Sequence, residues 1–206
     1  SLGWPKIIDT PEIRKAFEVA YQKNIVVIAA AGNNNKDLPT YPCSYANVIC
    51  VGAIDNQGNM SEFSNFGDRV DFVAPGVSII STFPNNLESR TLRMKGYEVK
   101  DGSSQAAPLV AGIAAGIKAV NPDLTVDEIK NILISKKKKS LANEESKKFV
   151  NFGLVNMQKA LELAQDSLKE RVVLINKEND EVLYGEDLTF EYTLPLQYLK
   201  KANAER

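Results

Sequence analysis

Between Gln105 and Val120 the chain reads QAAPLVAGIAAGIKAV, apolar around the whole circumference of a helix, with Lys118 as its sole charge. A helix with no polar face belongs inside a layered core rather than on a surface. Its small residues Ala106, Ala107, Ala111, Gly112, Ala114, Ala115 and Gly116 would let other backbones come close. Glycine inside a helix costs about 1 kcal/mol relative to alanine, so tight packing is the expected compensation.

The flanking segments supply a sheet for that helix to lie on. IVVIAAAG (25–32) and NVICVGAID (47–55) are uniformly apolar with β-branched residues, as strands covered on both faces are, and the second ends in the turn residues DNQGN. Before the first strand, DTPEIRKAFEVAYQKN (9–24) repeats apolar residues at Ile13, Ala16, Phe17, Ala20 and Tyr21, the spacing of one amphipathic helix. Asp9 and Glu12 form a capping-box pattern, and Pro11 suits the first turn. Helix followed by buried strand predicts a parallel α/β sheet. RVDFVAPGVSIIST (69–82) reads as short strands around Pro75-Gly76, and RMKGYEVKDG (93–102) as an exposed hairpin. NPDLTVDEIKNILIS (121–135) gives a helix with a second capping box, Thr125 with Glu128, and GLVNMQKALELAQDSLKE (153–170) gives another. From residue 171 the pattern turns to loose alternation with turn residues in the middle, a hairpin or small β appendage. The expected boundary lies near residue 168, dividing 1–168 from 169–206.

Composition removes whole classes of function. With 44% hydrophobic residues a real core is available, and 25 Lys+Arg against 26 Asp+Glu leave a net charge of −1, so no global field recruits nucleic acid or an anionic membrane. SKKKKS (135–140) reads as a solvated loop. No apolar run reaches the roughly 18 residues of a membrane span, and the first residues carry no basic-then-apolar leader pattern. Cys43 and Cys50 stand at no zinc-ligand spacing; two buried thiols is the plain reading and one disulfide the alternative, which leaves the redox compartment open. The chain has no histidine, and so lacks the commonest general base and the commonest metal ligand.

DGSSQAAPLVAG (101–112) places Ser103 and Ser104 at the mouth of the apolar helix. A serine there can be a simple N-cap. Three further segments carry the reading beyond that: AAAGNNN (29–35), where a strand ends in Gly32 and Asn33; the ordered series YPCSYANVICVGAID, EFSNFG and VDFVAPG; and SLGWP at residues 1–5. Ligands of open α/β sheets bind at the carboxyl ends of strands, where Asn33 would lie.

Together these blocks resemble the subtilisin-like serine proteases, the subtilase family, in unbroken order over residues 1 to about 164. DGSSQAAP looks like the nucleophile box with Ser104 as nucleophile, AAAGN like the oxyanion-hole segment with Asn33 as donor, and SLG like the strand that pairs with substrate backbone. The resemblance implies a subtilisin-like α/β fold: a mostly parallel sheet flanked by helices, incomplete because its N-terminal half is missing, with a short C-terminal β extension. It implies a serine endopeptidase acting through an acyl-enzyme on Ser104. Ser1, Leu2 and Gly3 would offer main-chain groups to a peptide or protein substrate, Ala30, Ala31 and Gly32 would wall the pocket before the scissile bond, and Thr40 would lie near its floor.

Gln105, Leu109 and Ser103 depart tolerably from the residues usual in the family, which are Met, a non-catalytic His and Thr. The serious departure is the missing histidine, because a serine hydroxyl needs a base. Subtilases run Asp, then His, then Ser along the chain. The missing pair is therefore expected N-terminal to Ser1, on a complementary N-terminal piece, and the 206 residues alone are expected to be inactive. No cofactor is required for such chemistry. The resemblance also raises a structural calcium or sodium beside the loop matching Cys43 to Val48, with Asp71 at the matching acidic position and Arg69 where an acid could have helped. Two other readings remain: a non-catalytic subtilase-like module that binds peptides or partners, and a Ser-Lys hydrolase using Lys95 or Lys100.

Overall fold

The computed structural model describes residues 1–4, 9–87, 89, 91–92, 95–134 and 152–168, with the backbone of three further strands, 172–176, 181–185 and 199–201. Its centre is a four-stranded parallel sheet in the order β1-β2-β3-β6, formed by Val27–Ala30, Val48–Ile54, Phe72–Pro75 and Gly153–Leu154. β1 and β2 pair from Val27 with Val48 to Ala30 with Val51, and β2 pairs with β3 from Val51 with Phe72 to Ile54 with Pro75. Outside β1 the chain begins as a short parallel neighbour: Leu2 N–H donates to Ile28 O at 2.8 Å, and Leu2 O accepts from Ala30 N–H at 2.9 Å.

Period-two alternation sorts the sheet's side chains onto two faces. Ile28, Ile49, Val51, Ala53, Phe72 and Ala74 meet Ala106, Ala107, Val110, Ile113 and Ile117 of helix α2 (Ser103–Val120), where α4 (Met157–Ser167) adds Ala160 and Ala164. On the other face Ala29, Val48, Cys50, Ile54 and Val73 pack with Ala31, Cys43 and Val70, and with Phe17 of α1 (Pro11–Gln22). The uniformly apolar strands thus have cover on both sides, as the sequence predicts.

The apolar helix is only partly buried. Ala106, Ala107, Val110 and Ile117 are within 1% of complete burial, whereas Ser104, Pro108, Leu109, Gly112, Ala115 and Ala119 form an exposed stripe, with Leu109 at 41% exposure. Of the two helix glycines, Gly116 is packed so that a Cβ would meet Leu161 at 3.2 Å. Around Gly112, by contrast, a Cβ would meet nothing within 4 Å among the described residues. The tight packing expected around both glycines therefore holds at one of them.

Local signals are partly redistributed. Thr10, not Asp9, caps α1 by accepting from Ile13 N–H, because the Asp9 carboxylate is held by Arg14 and by Tyr45 Oη at 3.0 Å. The capping box of α3 (Val126–Leu133) forms as expected between Thr125 and Glu128. Gly153–Leu154 adds a short edge strand to β3 instead of opening the last helix, which Asn156 caps. Phe72–Pro75 and Ile79–Thr82 (β4) are the expected short strands around Pro75-Gly76, whereas Tyr97–Lys100 (β5), read as part of a hairpin within 93–102, pairs antiparallel with β4. After α4, β7 (Val172–Asn176) pairs antiparallel with β8 (Glu181–Gly185) and β9 (Leu199–Lys201), a separate three-stranded sheet beyond the expected hairpin. The lysine run at 135–140 lies outside the described residues. Among the described residues no helix is long and apolar enough to cross a membrane.

Cys43 and Cys50 are joined in a disulfide, against the plain reading of two free thiols. It ties the loop after Thr40 to β2 on the α1 side of the sheet.

Candidate active site

The carboxyl end of β1 and the amino end of α2 lie side by side because α2 packs across β1 and β2. Beyond Ala30 the chain turns through Gly32 at φ +103°, a left-handed conformation natural to glycine, and presents Asn33 at the surface. Gly102, at φ +150°, precedes the helix, and a Cβ on it would stand 3.1 Å from Asn33 Nδ2. A side chain there would crowd the amide.

Ser103, fully buried, fixes that amide. Its N–H donates to Asn33 Oδ1 at 2.9 Å and its hydroxyl donates to the same oxygen at 2.8 Å, while Ser103 Oγ accepts from Gly32 N–H at 3.0 Å. Both donors fall on the oxygen, so the orientation of the amide is set and its NH2 is the end turned away from Ser103. Sequence reading passed over this role for Ser103; the adjacent pair of serines was the available signal.

Ser104 is the second residue of α2 and is exposed. The first helical N–H groups have no intrahelical partner and carry the positive end of the macrodipole. Ser103 gives its N–H to Asn33, whereas neither the Ser104 N–H nor its hydroxyl has a hydrogen-bond partner among the described residues. A Cβ built on Gly3 would lie 3.8 Å from Ser104 Oγ and 3.2 Å from Ala30 Cβ, so residues 1–3, the end of β1 and the mouth of α2 converge. Such an arrangement can hold an anionic oxygen beside a hydroxyl nucleophile.

The neighbouring residues divide by what they can present. Leu2 engages both main-chain groups with β1, so the outward main-chain groups of this segment are those of Ser1 and Gly3. Ala31 is 1% exposed and belongs to the core, with its N–H donating to Val51 O at 2.9 Å, so neither its side chain nor its backbone faces the surface. Its carbonyl accepts from Thr40 Oγ1 at 3.0 Å and from Asn65 Nδ2 at 2.9 Å, which places Thr40 beneath the strand end. Asn65 is a second such residue after Ser103, and the segment EFSNFG alone does not single it out.

Lys95 and Lys100 are exposed, and Lys100 Nζ lies 5.3 Å from the Phe83 ring centre, so neither meets the buried setting that a lysine base requires. Asp71, the acid proposed beside a cation, pairs with Lys130 Nζ at 2.9 Å and accepts from Cys50 N–H at 2.9 Å. Any cation there would have to displace the ammonium. Displaced pKa values fall elsewhere: Arg14, aided by Tyr45, holds Asp9 down to about 2, burial and then Asp9 push Tyr45 up, and Asp127 pushes Tyr21 up.

Residues 1–153 match the model of the subtilase family, peptidase S8. Subtilisin DY of Bacillus licheniformis is 35% identical over 164 residues, covering 78% of this chain and 54% of its own. The thermophilic serine proteinase of Bacillus sp. strain AK1 is 44% identical over 106 residues, covering 52% of this chain and 24% of its own. Among solved structures, a protease from Pseudoalteromonas arctica PAMC 21717 superposes with a TM-score of 0.67 at 30% identity, over 76% of this chain and 48% of the other. The chain spans about half the length of the subtilisins it matches. With the parallel sheet, the Ser104 helix mouth and the family match over most of its length in agreement, this chain belongs to the subtilase family of serine proteases.

Proposed function

We propose that the protein is a serine endopeptidase in which Ser104 attacks the peptide carbonyl and the Asn33 amide, with the Ser104 N–H, binds the oxyanion of the tetrahedral intermediate. The observation carrying this reading is the double anchoring of Asn33 Oδ1 on Ser103, which leaves the amide NH2 free beside an exposed serine at a helix mouth. Preorganised donors of this kind need no reorganisation as charge develops. Peptide or protein substrates follow from the family, with Ser1 and Gly3 offering main-chain groups for strand addition. Ala30 and Gly32 border the pocket before the scissile bond, with the buried Ala31 between them tied to Thr40.

The proton acceptor and its orienting carboxylate come, in this reading, from a segment N-terminal to Ser1, since the 206 residues hold no histidine. The exposed apolar stripe of α2 supports it: Leu109, Gly112 and Ala115 run down the helix from Ser104 with no cover among the described residues. Gly112 is a helix glycine without the close neighbour that would compensate it, as expected where another element lies across. Residues 1–168 are read as the protease portion and 169–206 as an appendage to it.

Peptide hydrolysis by the full-length protein tests the proposal. S104A should abolish turnover, and N33A should lower kcat about 10²- to 10³-fold, the range known for a subtilisin oxyanion donor. Retained turnover in S104A would show that the chemistry lies elsewhere. Stable peptide binding with no turnover in the unaltered protein favours a non-catalytic binding module.

A further inference from the structure

We propose that Asn65 is the positioning residue of the oxyanion loop, holding residues 31–36 in the shape that presents Asn33; this rests on the reading of Asn33 as the oxyanion donor. Asn65 stands in the loop after β2, 29 to 34 residues along the chain from the groups its side chain holds. It is 3% exposed, and every polar group of its side chain is directed at that segment. Asn65 Oδ1 accepts from Asn34 N–H at 3.0 Å and Lys36 N–H at 3.2 Å, and Asn65 Nδ2 donates to Ala31 O at 2.9 Å. Its own N–H donates to Gly32 O at 2.9 Å. Asn33 is therefore bracketed: the buried side-chain amide of Asn65 holds Ala31, Asn34 and Lys36, and the backbone N–H of the same residue holds Gly32.

The neighbouring backbone reinforces this clamp. Asn35 N–H donates to Phe63 O at 2.9 Å and Phe66 N–H donates to Lys36 O at 3.2 Å, lacing the two loops together around Asn65. Gly32 is shaped to the same amide, since a Cβ there would stand 2.5 Å from Asn65 Nδ2. The assignment of tasks follows. Ser103 sets the rotation of the Asn33 amide about its own bonds, and Asn65 sets where the backbone carrying that amide lies. A loop displacement of about 1 Å is enough to cost on the order of 10²-fold in rate when the group must meet a transition state. The Ala31 carbonyl, shared by Asn65 and Thr40, extends the same control to the pocket floor.

A double-mutant cycle on the full-length protein tests the proposal, with kcat and KM read separately on a peptide substrate. N65A should lower kcat about tenfold or more in the presence of Asn33, and less than about threefold in the N33A background, because the amide it positions is gone. N65D keeps the acceptor for the Asn34 and Lys36 N–H groups but sets an oxygen against Ala31 O where Nδ2 donated, so its kcat should also fall, and again by less in the N33A background. If N65A does not fold, the cycle is run with N65D. Losses that multiply in the double variant, or an N65A kcat within about twofold of the unaltered protein, overturn the positioning role. A kcat unchanged by N33A instead overturns the oxyanion reading, so the two failures are distinguishable.

Discussion

Replacing Ser103 by alanine separates the orientation of Asn33 from its presence. The hydroxyl bridges Gly32 N–H at 3.0 Å and Asn33 Oδ1 at 2.8 Å inside a fully buried residue. Its loss leaves the Gly32 N–H without an acceptor, a penalty of about 1–3 kcal/mol in stability. Asn33 Oδ1 keeps one anchor, the Ser103 N–H at 2.9 Å, and loses the other. A hydrogen bond with a net value of about 0.5–1.5 kcal/mol shifts an orientation equilibrium about two- to tenfold, so kcat should fall by roughly that factor with KM little changed. The loss must stay below that of N33A, because an orienting group cannot remove more than the donor it orients. S103T keeps the hydroxyl and should stay within about threefold of the unaltered protein. Thermal unfolding and steady-state peptide hydrolysis of the full-length variants supply both readings. A lowered Tm with kcat intact, or a kcat loss exceeding that of N33A, refutes the division of labour argued for Ser103.

Three further outcomes follow from the packing. G112A in the full-length protein should be destabilising by about 1–3 kcal/mol if an N-terminal segment crosses the α2 stripe. A gain of about 0.5–1 kcal/mol, the value of Ala over Gly in an open helix, would show that face uncovered. Replacing both cysteines by serine removes a cross-link around a loop of about eight residues, which chain entropy values at about 2.5 kcal/mol. Urea unfolding should show a loss near that size, and no loss would mean the 43–50 loop is held without its bridge. Asp9, held down to about 2 chiefly by Arg14, has a folded pKa below its unfolded value. Its stabilisation is thus present above the ordinary carboxylate range and lost as pH falls from about 4 through about 2. The stability difference between the unaltered protein and D9N should close over that window; a difference independent of pH would mean the Asp9–Arg14 contact does not form in solution.

How much was legible in the sequence depends on how local each determinant is. β1, β2 and the core of α2 follow from apolar runs that need no partner to be recognised. The Thr125–Glu128 box was legible because both halves lie three residues apart, whereas the first helix offered two adjacent caps. There the choice of Thr10 was settled by Arg14 and Tyr45 capturing Asp9, and Tyr45 lies 36 residues away. Gly153–Leu154 reads as the start of a helix until β3 supplies a strand edge for it. The stripe along α2 could not be read from a pattern that is apolar on every side. Within the site, Ser104 and Asn33 announce themselves by motif, while Ser103 and Asn65 act through contacts 70 and 34 residues distant, to which a linear pattern is blind.

The most direct measurement is covalent labelling of the full-length protein with a fluorophosphonate, followed by peptide mapping of the modified residue. A hydroxyl with a base and an oxyanion hole around it forms the adduct, and an ordinary surface serine does not. A single adduct is expected on Ser104, lost in S104A and slowed in N33A. A folded protein that stays unlabelled at Ser104, or takes the label on another serine, contradicts it.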